Sequence, residues 1–138
     1  MARLQREDFD IGVEIRGLAD RYPGAGAVVS FLGTVRDFSK GEDIQKLVFE
    51  SYEGMAEKEL DRLERDARGQ FDILDCLVIH RFGEVGVGDN IVLIVVASAH
   101  RPAGFEACRW MIEELKRRVP IWKNEFTTTG RHWVEEHP

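Results

Sequence analysis

The feature that most constrains the fold is a run of branched apolar residues, Ile91 to Val96, which follows a Gly-Asp-Asn turn. A strand with one face in water would alternate apolar and polar residues, and this run does not alternate. It therefore predicts a strand buried on both faces. The polar pair His100 and Arg101 then stands where that strand ends.

A helix is predicted directly after the strand. Apolar residues recur there at intervals of three and four positions, which is the spacing of one helical face; they are Phe105, Cys108, Met111, Ile112, Leu115 and Val119. Pro120 ends the helix, because proline cannot continue the backbone hydrogen bonds. The last turn carries Lys116, Arg117 and Arg118, and Lys123 follows closely.

This region is cationic in an acidic protein. Residues 100–123 hold six Lys or Arg against three Asp or Glu, a local net charge of +3, whereas the whole chain carries −6. Arg101, Lys116 and Lys123, with His100 when protonated, predict an anion-binding group formed by a strand end and a helix end. A second interpretation stays open, because basic residues in a last helical turn complement the helix dipole without any ligand.

Composition narrows the class of protein. With 138 residues, 43% hydrophobic and 32% charged, the chain predicts a single soluble globular domain over residues 1–138. Its acidity argues against broad nucleic-acid binding. No segment has the apolar length of a signal peptide or membrane span, so we expect no membrane association and a cytoplasmic location.

The cysteines and histidines of the chain do not have the spacing that is typical of metal ligands. The chain has two cysteines, Cys76 and Cys108, and four scattered histidines. This pattern predicts neither a metal site nor a disulfide framework. Both cysteines fall on apolar faces, so we interpret them as packing residues rather than nucleophiles.

The remaining segments complete an α+β domain with a mixed sheet of four strands and three helices. The pattern predicts a short helix over 9–21, strands over 27–36, 44–52 and 71–81, a charged helix from Gly54, a mobile loop over 37–43, a connection over 82–89, and a short strand or hairpin over 126–134 that packs Trp133 onto the body. Gly33, inside a strand, indicates a bulge or a close approach to the backbone. Phe38, in the loop, either covers a ligand or packs against the fold.

Five sequence blocks stand out when they are taken together. They are residues 31–36, 52–56, 80–83, 98–101 and 116–125. Together they resemble one family, the large, catalytic subunit of molybdopterin synthase. The resemblance runs from about Gly24 to Glu135, in order and without an obvious insertion.

The resemblance implies an α/β hammerhead fold with a mixed, largely antiparallel sheet and about three helices. It implies a heterotetramer, in which a homodimer of large subunits carries a small ubiquitin-like sulfur-carrier subunit at each end. The C-terminal Gly-Gly tail of that small subunit bears a thiocarboxylate. Its sulfur is transferred to cyclic pyranopterin monophosphate, and two such transfers make the dithiolene of molybdopterin. No cofactor is implied.

The resemblance also assigns site residues. The catalytic lysines of the family fall on Lys116 and Lys123. The substrate-contacting positions fall on Thr34, Val35, Arg36, His100, Arg101, Lys116, Lys123, Asn124 and Glu125. At Asn124 the family usually has a basic residue.

Both substrates are anionic, so fixed cations suit the site, and arginine can give paired donors to phosphate oxygens. We expect Lys116 to handle protons and Lys123 to hold anions, with the lysine pKa values lowered by crowding from Arg117 and Arg118. An alternative function remains: a non-catalytic module that binds a ubiquitin-like partner or a phosphorylated metabolite.

Overall fold

The computed structural model describes residues 2–39, 41–51, 54–127 and 130–134. Within these residues there are three helices: α1 (Ile11–Arg21), α2 (Met55–Gln70) and α3 (Arg101–Arg118). There are also nine strands: β1 (Arg3–Gln5), β2 (Ala27–Thr34), β3 (Phe38–Ser39), β4 (Glu42–Ser51), β5 (Asp75–Arg81), β6 (Gly83–Gly86), β7 (Asn90–Ser98), β8 (Ile121–Thr127) and β9 (Gly130–Val134). None of the described helices is long and apolar enough to cross a membrane.

The first sheet has the strand order β1-β5-β7-β2. Strand β1 runs parallel to β5, and the other two pairings are antiparallel, so the sheet is mixed. Residues 92–98 of β7 are all buried. The prediction of a strand covered on both faces is confirmed.

Helices cover both faces of this sheet. On one face, Leu18 of α1 packs in a cluster with Leu93 and Val95 of β7. On the other face, α2 and α3 pack against Ile94 and Val96 in the main core. Side chains of a strand alternate between the faces, which is why one apolar run serves both cores.

The start of α3 differs from the predicted apolar stripe. Phe105 is 60% exposed, so its assignment to the buried face was wrong. Gly104 is buried in its place, and a Cβ added there would lie 2.9 Å from Ser98 Oγ. The helix therefore sits too close to β7 for a side chain at 104. The buried face of α3 runs through Gly104, Ala107, Cys108, Met111 and Leu115, and Phe105 falls outside it.

The second sheet has the order β3-β4-β8-β9, with β6 also paired to β4, and all of its pairings are antiparallel. The interpretation of 82–89 as a mere connection was wrong, because residues 83–86 form β6. The loop predicted over 37–43 likewise contains β3. The expected hairpin in the tail is present as β8 and β9, but Trp133 is 52% exposed and does not pack onto the body.

Gly33 behaves as the sequence predicted. The pairing of β2 with β7 shifts register between Gly33 and Thr34. A Cβ at Gly33 would lie 2.8 Å from Val92 Cγ1, so only glycine fits without a shift of its neighbour. The α+β class, the three helices and the mixed, largely antiparallel pairing are confirmed, whereas the count of four strands was too low. The strand predicted to reach Tyr52 ends at Ser51, and Tyr52 lies outside the described residues.

Candidate active site

A cavity of about 190 Å³ lies where the two sheets meet the end of α3. Its apolar wall consists of Phe31, Gly33, Phe49, Ile91, Val92, Ile112 and Leu115. Its polar lining consists of Thr34, Arg36, His80, Lys116 and Lys123. Because these residues come from β2, β4, β5, β7, α3 and β8 and the segment after β2, only the folded chain creates this cavity.

Lys123 enters the cavity from β8. Its side chain is buried, with 4% of the residue exposed. It pairs in register with Phe49 of β4, so both side chains lie on the same face of the second sheet. An ammonium group is costly to remove from water, and lysines held in this way are typical of functional sites.

Lys116 reaches the same cavity from the last turn of α3. Burial lowers the pKa of this lysine, and the positive charge of Arg36 lowers the same pKa further. The expectation of a lowered pKa for Lys116 therefore agrees with its surroundings, but the expected cause does not.

The arginines that follow Lys116 are held by acidic partners. Arg117 Nη1 donates to Glu114 Oε2 at 2.5 Å. Arg118 donates to Asp66 at 2.7 Å and to Glu114 at 3.1 Å, and it lies over the ring of Trp110. Crowding by these two arginines is thus the wrong cause for the shift at Lys116, because they turn away toward α2 and Glu114.

The segment after β2 contributes unequally to the cavity. Thr34, the last residue of β2, and Arg36, in the segment that follows, line it and are exposed at its mouth. Val35 between them is 4% exposed and belongs to the main core. Its backbone N–H donates to the Asp89 carbonyl, and its carbonyl accepts from Gly88. Val35 therefore anchors this segment, while its two neighbours face the cavity.

His100 and Arg101 lie at the opposite end of α3. Both are exposed, and neither is among the residues that line the cavity. Arg101 and Lys116 are fifteen positions apart on one continuous helix, which corresponds to about 22 Å along its axis. The predicted grouping of Arg101 with Lys116 and Lys123 is therefore wrong within one chain.

The two residues after Lys123 also diverge. Asn124 and Glu125 are both buried, but alternation along β8 turns Asn124 to the face opposite Lys123. Asn124 Oδ1 is buried and has no hydrogen-bond partner among the residues that the structure describes. Glu125 pairs with Leu47 and His132 on the same face as Lys123.

Sequence reasoning missed the wall of the cavity. Phe31, Phe49 and His80 lie far apart in the chain, and each looks like an ordinary strand residue. The sequence signal was weak: His80 and Arg81 repeat the dipeptide of His100 and Arg101, and they fall in one of the five family-like blocks. Only the pairing of β5 with β7 brings His80 opposite Val92 and into the cavity.

The cysteines are poor nucleophiles. Cys76 and Cys108 are both buried, and burial raises the pKa of Cys76 to about 12 and that of Cys108 to about 11. A thiol with so high a pKa carries almost no thiolate at neutral pH. In the described part of the chain, no three His, Cys, Asp or Glu side chains lie together in a way that would hold a metal ion.

Comparison with known proteins identifies the family. The model of the family described as MoaE protein matches residues 4–118. The chain belongs to the MoaE family. The molybdopterin synthase catalytic subunit of Pyrococcus abyssi is 44% identical over 129 residues, covering 94% of this chain and 86% of that protein. The resemblance found in the sequence is therefore confirmed.

Solved structures of MoaE-like chains share the fold. The crystal structure of molybdopterin synthase from Staphylococcus aureus matches with a TM-score of 0.87 and 31% identity, covering 98% of this chain and 96% of that chain. A complex of subunits 1 and 2 of the molybdopterin-converting factor from Helicobacter pylori matches with a TM-score of 0.79 and 23% identity, covering 99% and 91%. At that lower identity the second likeness supports the fold.

Proposed function

We propose that this chain is the catalytic subunit of a molybdopterin synthase. It transfers sulfur from the thiocarboxylated C-terminal glycine of a small ubiquitin-like subunit to cyclic pyranopterin monophosphate, forming the dithiolene of molybdopterin. The observation that carries the proposal is the enclosure of Lys116 and Lys123 in one cavity with Arg36, in a chain of the MoaE family.

The roles of the three cations follow from their surroundings. Lys116 has a lowered pKa, so a larger neutral fraction is present near neutral pH and the side chain can exchange protons. Lys123 is buried and supplies a fixed positive charge to the oxygen of the thiocarboxylate carbonyl. Arg36, at the mouth, is suited to pair with phosphate oxygens.

The apolar wall supports this chemistry. With few water molecules around them, cations stabilise developing negative charge more strongly than in bulk water. A second cavity of about 790 Å³ shares Phe49 with the first and is lined by Leu4, Arg6, Phe82 and Gly83 among others. Its size suits the approach of an extended peptide tail.

His100 and Arg101 take part in this site through a second copy of the chain. The helix separates Arg101 from Lys116 by about 22 Å in one protomer. In the homodimer that the family resemblance implies, Arg101 of one protomer can approach the cavity of the other. Under this proposal, each site is completed by two copies.

Reconstitution tests the function. The purified protein is mixed with the thiocarboxylated small subunit and cyclic pyranopterin monophosphate, and dithiolene product is measured by its oxidised fluorescent derivative. The control replaces the thiocarboxylate by the ordinary carboxylate, which has no sulfur to give. Product that depends on the thiocarboxylate is expected.

The alternative, a non-catalytic module for a ubiquitin-like partner or a phosphorylated metabolite, predicts binding of either molecule without product. Two lysines in a largely apolar cavity favour the enzyme, because simple anion binding is achieved by exposed cations at lower desolvation cost.

A further inference from the structure

Strand β2 forms an open edge of the first sheet. It is the last strand in the order β1-β5-β7-β2, and among the described residues no strand pairs with its outer side. Its eight residues include five apolar side chains, no charge and no proline, and none of the eight is buried. Edge strands of soluble proteins normally carry charges or proline that prevent pairing, or they are covered. An apolar edge of this length therefore indicates a strand that another chain covers.

The helix beside this edge is exposed at one end of the same face that lines the cavity at the other end. Arg101, Phe105, Ile112 and Lys116 fall within an arc of about 60° around the axis of α3, since each residue turns the helix by about 100°. Phe105 is 60% exposed, whereas Ile112 and Lys116 line the cavity. The exposed phenylalanine therefore lies in line with the cavity.

This face of α3 complements itself in the reverse direction. Phe105 lies four positions after Arg101, and Ile112 lies four positions before Lys116. Two antiparallel copies of α3 with Arg101 opposite Lys116 therefore also place Phe105 opposite Ile112. In a two-fold symmetric pair each contact occurs twice, so a surface of this kind must match itself. The match favours a second copy of this chain over an unrelated partner.

The distance between the paired elements agrees with this arrangement. A Cβ added at Gly104 would lie 2.9 Å from Ser98 Oγ and 3.0 Å from Val29 Cγ2, so α3 lies over both β7 and β2. Neighbouring strands are about 4.8 Å apart, so pairing β2 with β2 of a second copy would place the two α3 axes about 10 Å apart. Helices that pack side by side have axes 8–10 Å apart, so strand pairing and helix packing are compatible.

The direction of the two elements also agrees. Strand β2 begins near the start of α3, because the backbone N–H of Gly26 donates to the Ser98 carbonyl at 3.0 Å. It ends at Thr34, which lines the cavity together with Lys116. Antiparallel pairing of two β2 strands therefore also reverses α3, and the Arg101 end of one copy meets the Lys116 end of the other.

We propose that the outer edge of β2 and the face of α3 from Arg101 to Lys116, here called the β2–α3 flank, pair with the same flank of a second copy. Phe105 of one copy packs against Ile112 of the other. Arg101 then lies at the cavity of the other copy, and in assigning it to a shared catalytic site the inference rests on the proposed function. Arg101 and Lys116 repel each other, so the apolar contact and the strand edge hold the pairing.

The first experiment measures the dimer Kd by sedimentation for wild type and Phe105→Asp. We expect wild type to be a dimer at low micromolar concentration. Phe105→Asp should raise the dimer Kd by about a hundredfold or more, because pairing would remove a carboxylate from water at the centre of the interface. Phe105→Ala, which introduces no charge, should raise it less.

The matched control is Val13→Asp. Val13 is 64% exposed on α1, and α1 covers the opposite face of the first sheet. Its dimer Kd should equal that of wild type, and thermal unfolding verifies that each variant is folded. A monomeric wild type, or equal Kd values for wild type and Phe105→Asp, would overturn the proposal. Loss of small-subunit binding in Phe105→Asp with an unchanged dimer would also overturn it, because the flank would then bind the small subunit.

The second experiment leaves Phe105 in place. A nitroxide label on Arg109→Cys, in a Cys76→Ala and Cys108→Ala background, reports the distance between copies by pulsed electron paramagnetic resonance. The proposed two-fold axis passes α3 near this position, so we expect about 10–20 Å between the labels. The control is Arg62→Cys on α2, which packs on β5, two strands further from the edge, and should give about 25 Å or more. A distance at 109 as long as that at 62 would overturn the pairing.

Failure of the proposed function gives a different result. Both experiments use the free protein and need no substrate, so they report on the flank whether or not the chain makes dithiolene product. A dimer with the expected distances but no product would refute the function and confirm the flank. Dithiolene product from a wild type whose dimer is unaffected by Phe105→Asp would confirm the function and refute the flank.

Discussion

The two ends of α3 carry cations in very different surroundings. At the C-terminal end, Lys116 is partly buried beside an apolar wall and shares a cavity with Arg36 and Lys123. At the N-terminal end, His100 and Arg101 are exposed to solvent. The comparison teaches that the surroundings of a cation set its reactivity. Burial and neighbouring charges change its pKa, whereas solvent screens the charge of an exposed side chain.

Within the last turn of α3, ion pairs also distinguish the two arginines from Lys116. Arg117 and Arg118 follow Lys116 directly, yet both form ion pairs with Glu114, and Arg118 also pairs with Asp66. These contacts orient the arginines along the outside of α3. The adjacent Lys116 faces the cavity because it lies on the side of the helix that carries Ile112 and Leu115.

The largest effect is expected from removing the cation at the buried end. Lys116→Ala should lower kcat by about a hundredfold or more, because it removes the proposed proton-exchanging group. Single-turnover formation of the dithiolene product with thiocarboxylated small subunit measures the loss. Arg109→Ala is the control on the same helix, since Arg109 is exposed and pairs only with Glu113 among the contacts described. A Lys116→Ala rate close to that of wild type would remove Lys116 from the mechanism.

A mixed dimer tests whether the exposed end acts on the other copy. Arg101→Ala alone should lower kcat/KM by about tenfold to a hundredfold, the range for losing a charged hydrogen bond to phosphate. Co-expression of Arg101→Ala with Lys116→Ala should restore one intact site per mixed dimer, because under the proposal each site takes Lys116 from one chain and Arg101 from its partner. The tagged heterodimer should therefore recover about half of the wild-type activity.

The same experiment has a clear negative outcome. If Arg101 acts in its own chain, every site of the mixed dimer keeps one defect. If Arg101 takes no part in the site, only the Lys116→Ala chain is defective, and pairing the two chains changes nothing. Activity of the mixed dimer equal to the average of the two parent variants would contradict the shared site.

A smaller effect concerns pH. Since the pKa of Lys116 is lowered, its neutral form appears at lower pH than in an ordinary lysine, and kcat should rise with pH through that pKa. Arg36→Gln removes the nearby positive charge and moves the pKa upward, so the rise should shift to higher pH. The shift is partial because burial, the larger cause, remains.

The control for the pH experiment is Arg117→Gln. Arg117 is next to Lys116 in sequence but pairs with Glu114, so its removal should leave the pH profile of kcat in place. An equal shift in both variants would mean that the arginines of the last turn, and not Arg36, set the charge environment of Lys116.

The smallest effect is expected from the cysteines. Cys76→Ala and Cys108→Ala should keep kcat within about twofold of wild type, because both thiols are buried and un-ionised and, under the proposed function, the sulfur arrives on the partner subunit. Alkylation of the native protein at pH 8 should be slow for the same reason. A folded cysteine variant that lost activity would show that a thiol of this chain carries the sulfur.

Much of the fold follows from local pattern. The unbroken apolar run of β7, the helical stripe from Cys108 to Leu115 and the stop at Pro120 were predictable, because each depends on residues only a few positions apart. Strand β6 was not, since Gly83 and Gly86 bound it and it is stabilised by pairing with β4, far away in sequence. Phe105 was misplaced because Gly104, which lies close to Ser98 of β7, takes the buried position at the start of α3.

The residues of the candidate site also divide into those that the sequence predicted and those that it did not. Lys116, Lys123, Thr34 and Arg36 were predictable from family-like motifs, and the structure brings these four residues to one cavity. His80 was not singled out, although it lies in the family-like block 80–83, because its place in the cavity depends on the pairing of β5 with β7. Arg101 was grouped with the lysines on charge alone, and the length of α3 separates them.

By itself, the sequence determined the family, the class of fold and the choice of Lys116 and Lys123 as site residues. Motifs and periodicities depend on residues that are close together in the chain, so they can be recognised without the structure. Only the tertiary structure decided which cations share a cavity, which face of β8 carries Lys123, and which end of α3 lines the cavity. Those outcomes depend on contacts between strands distant in the chain, and the free energy of a charge depends on everything that surrounds it.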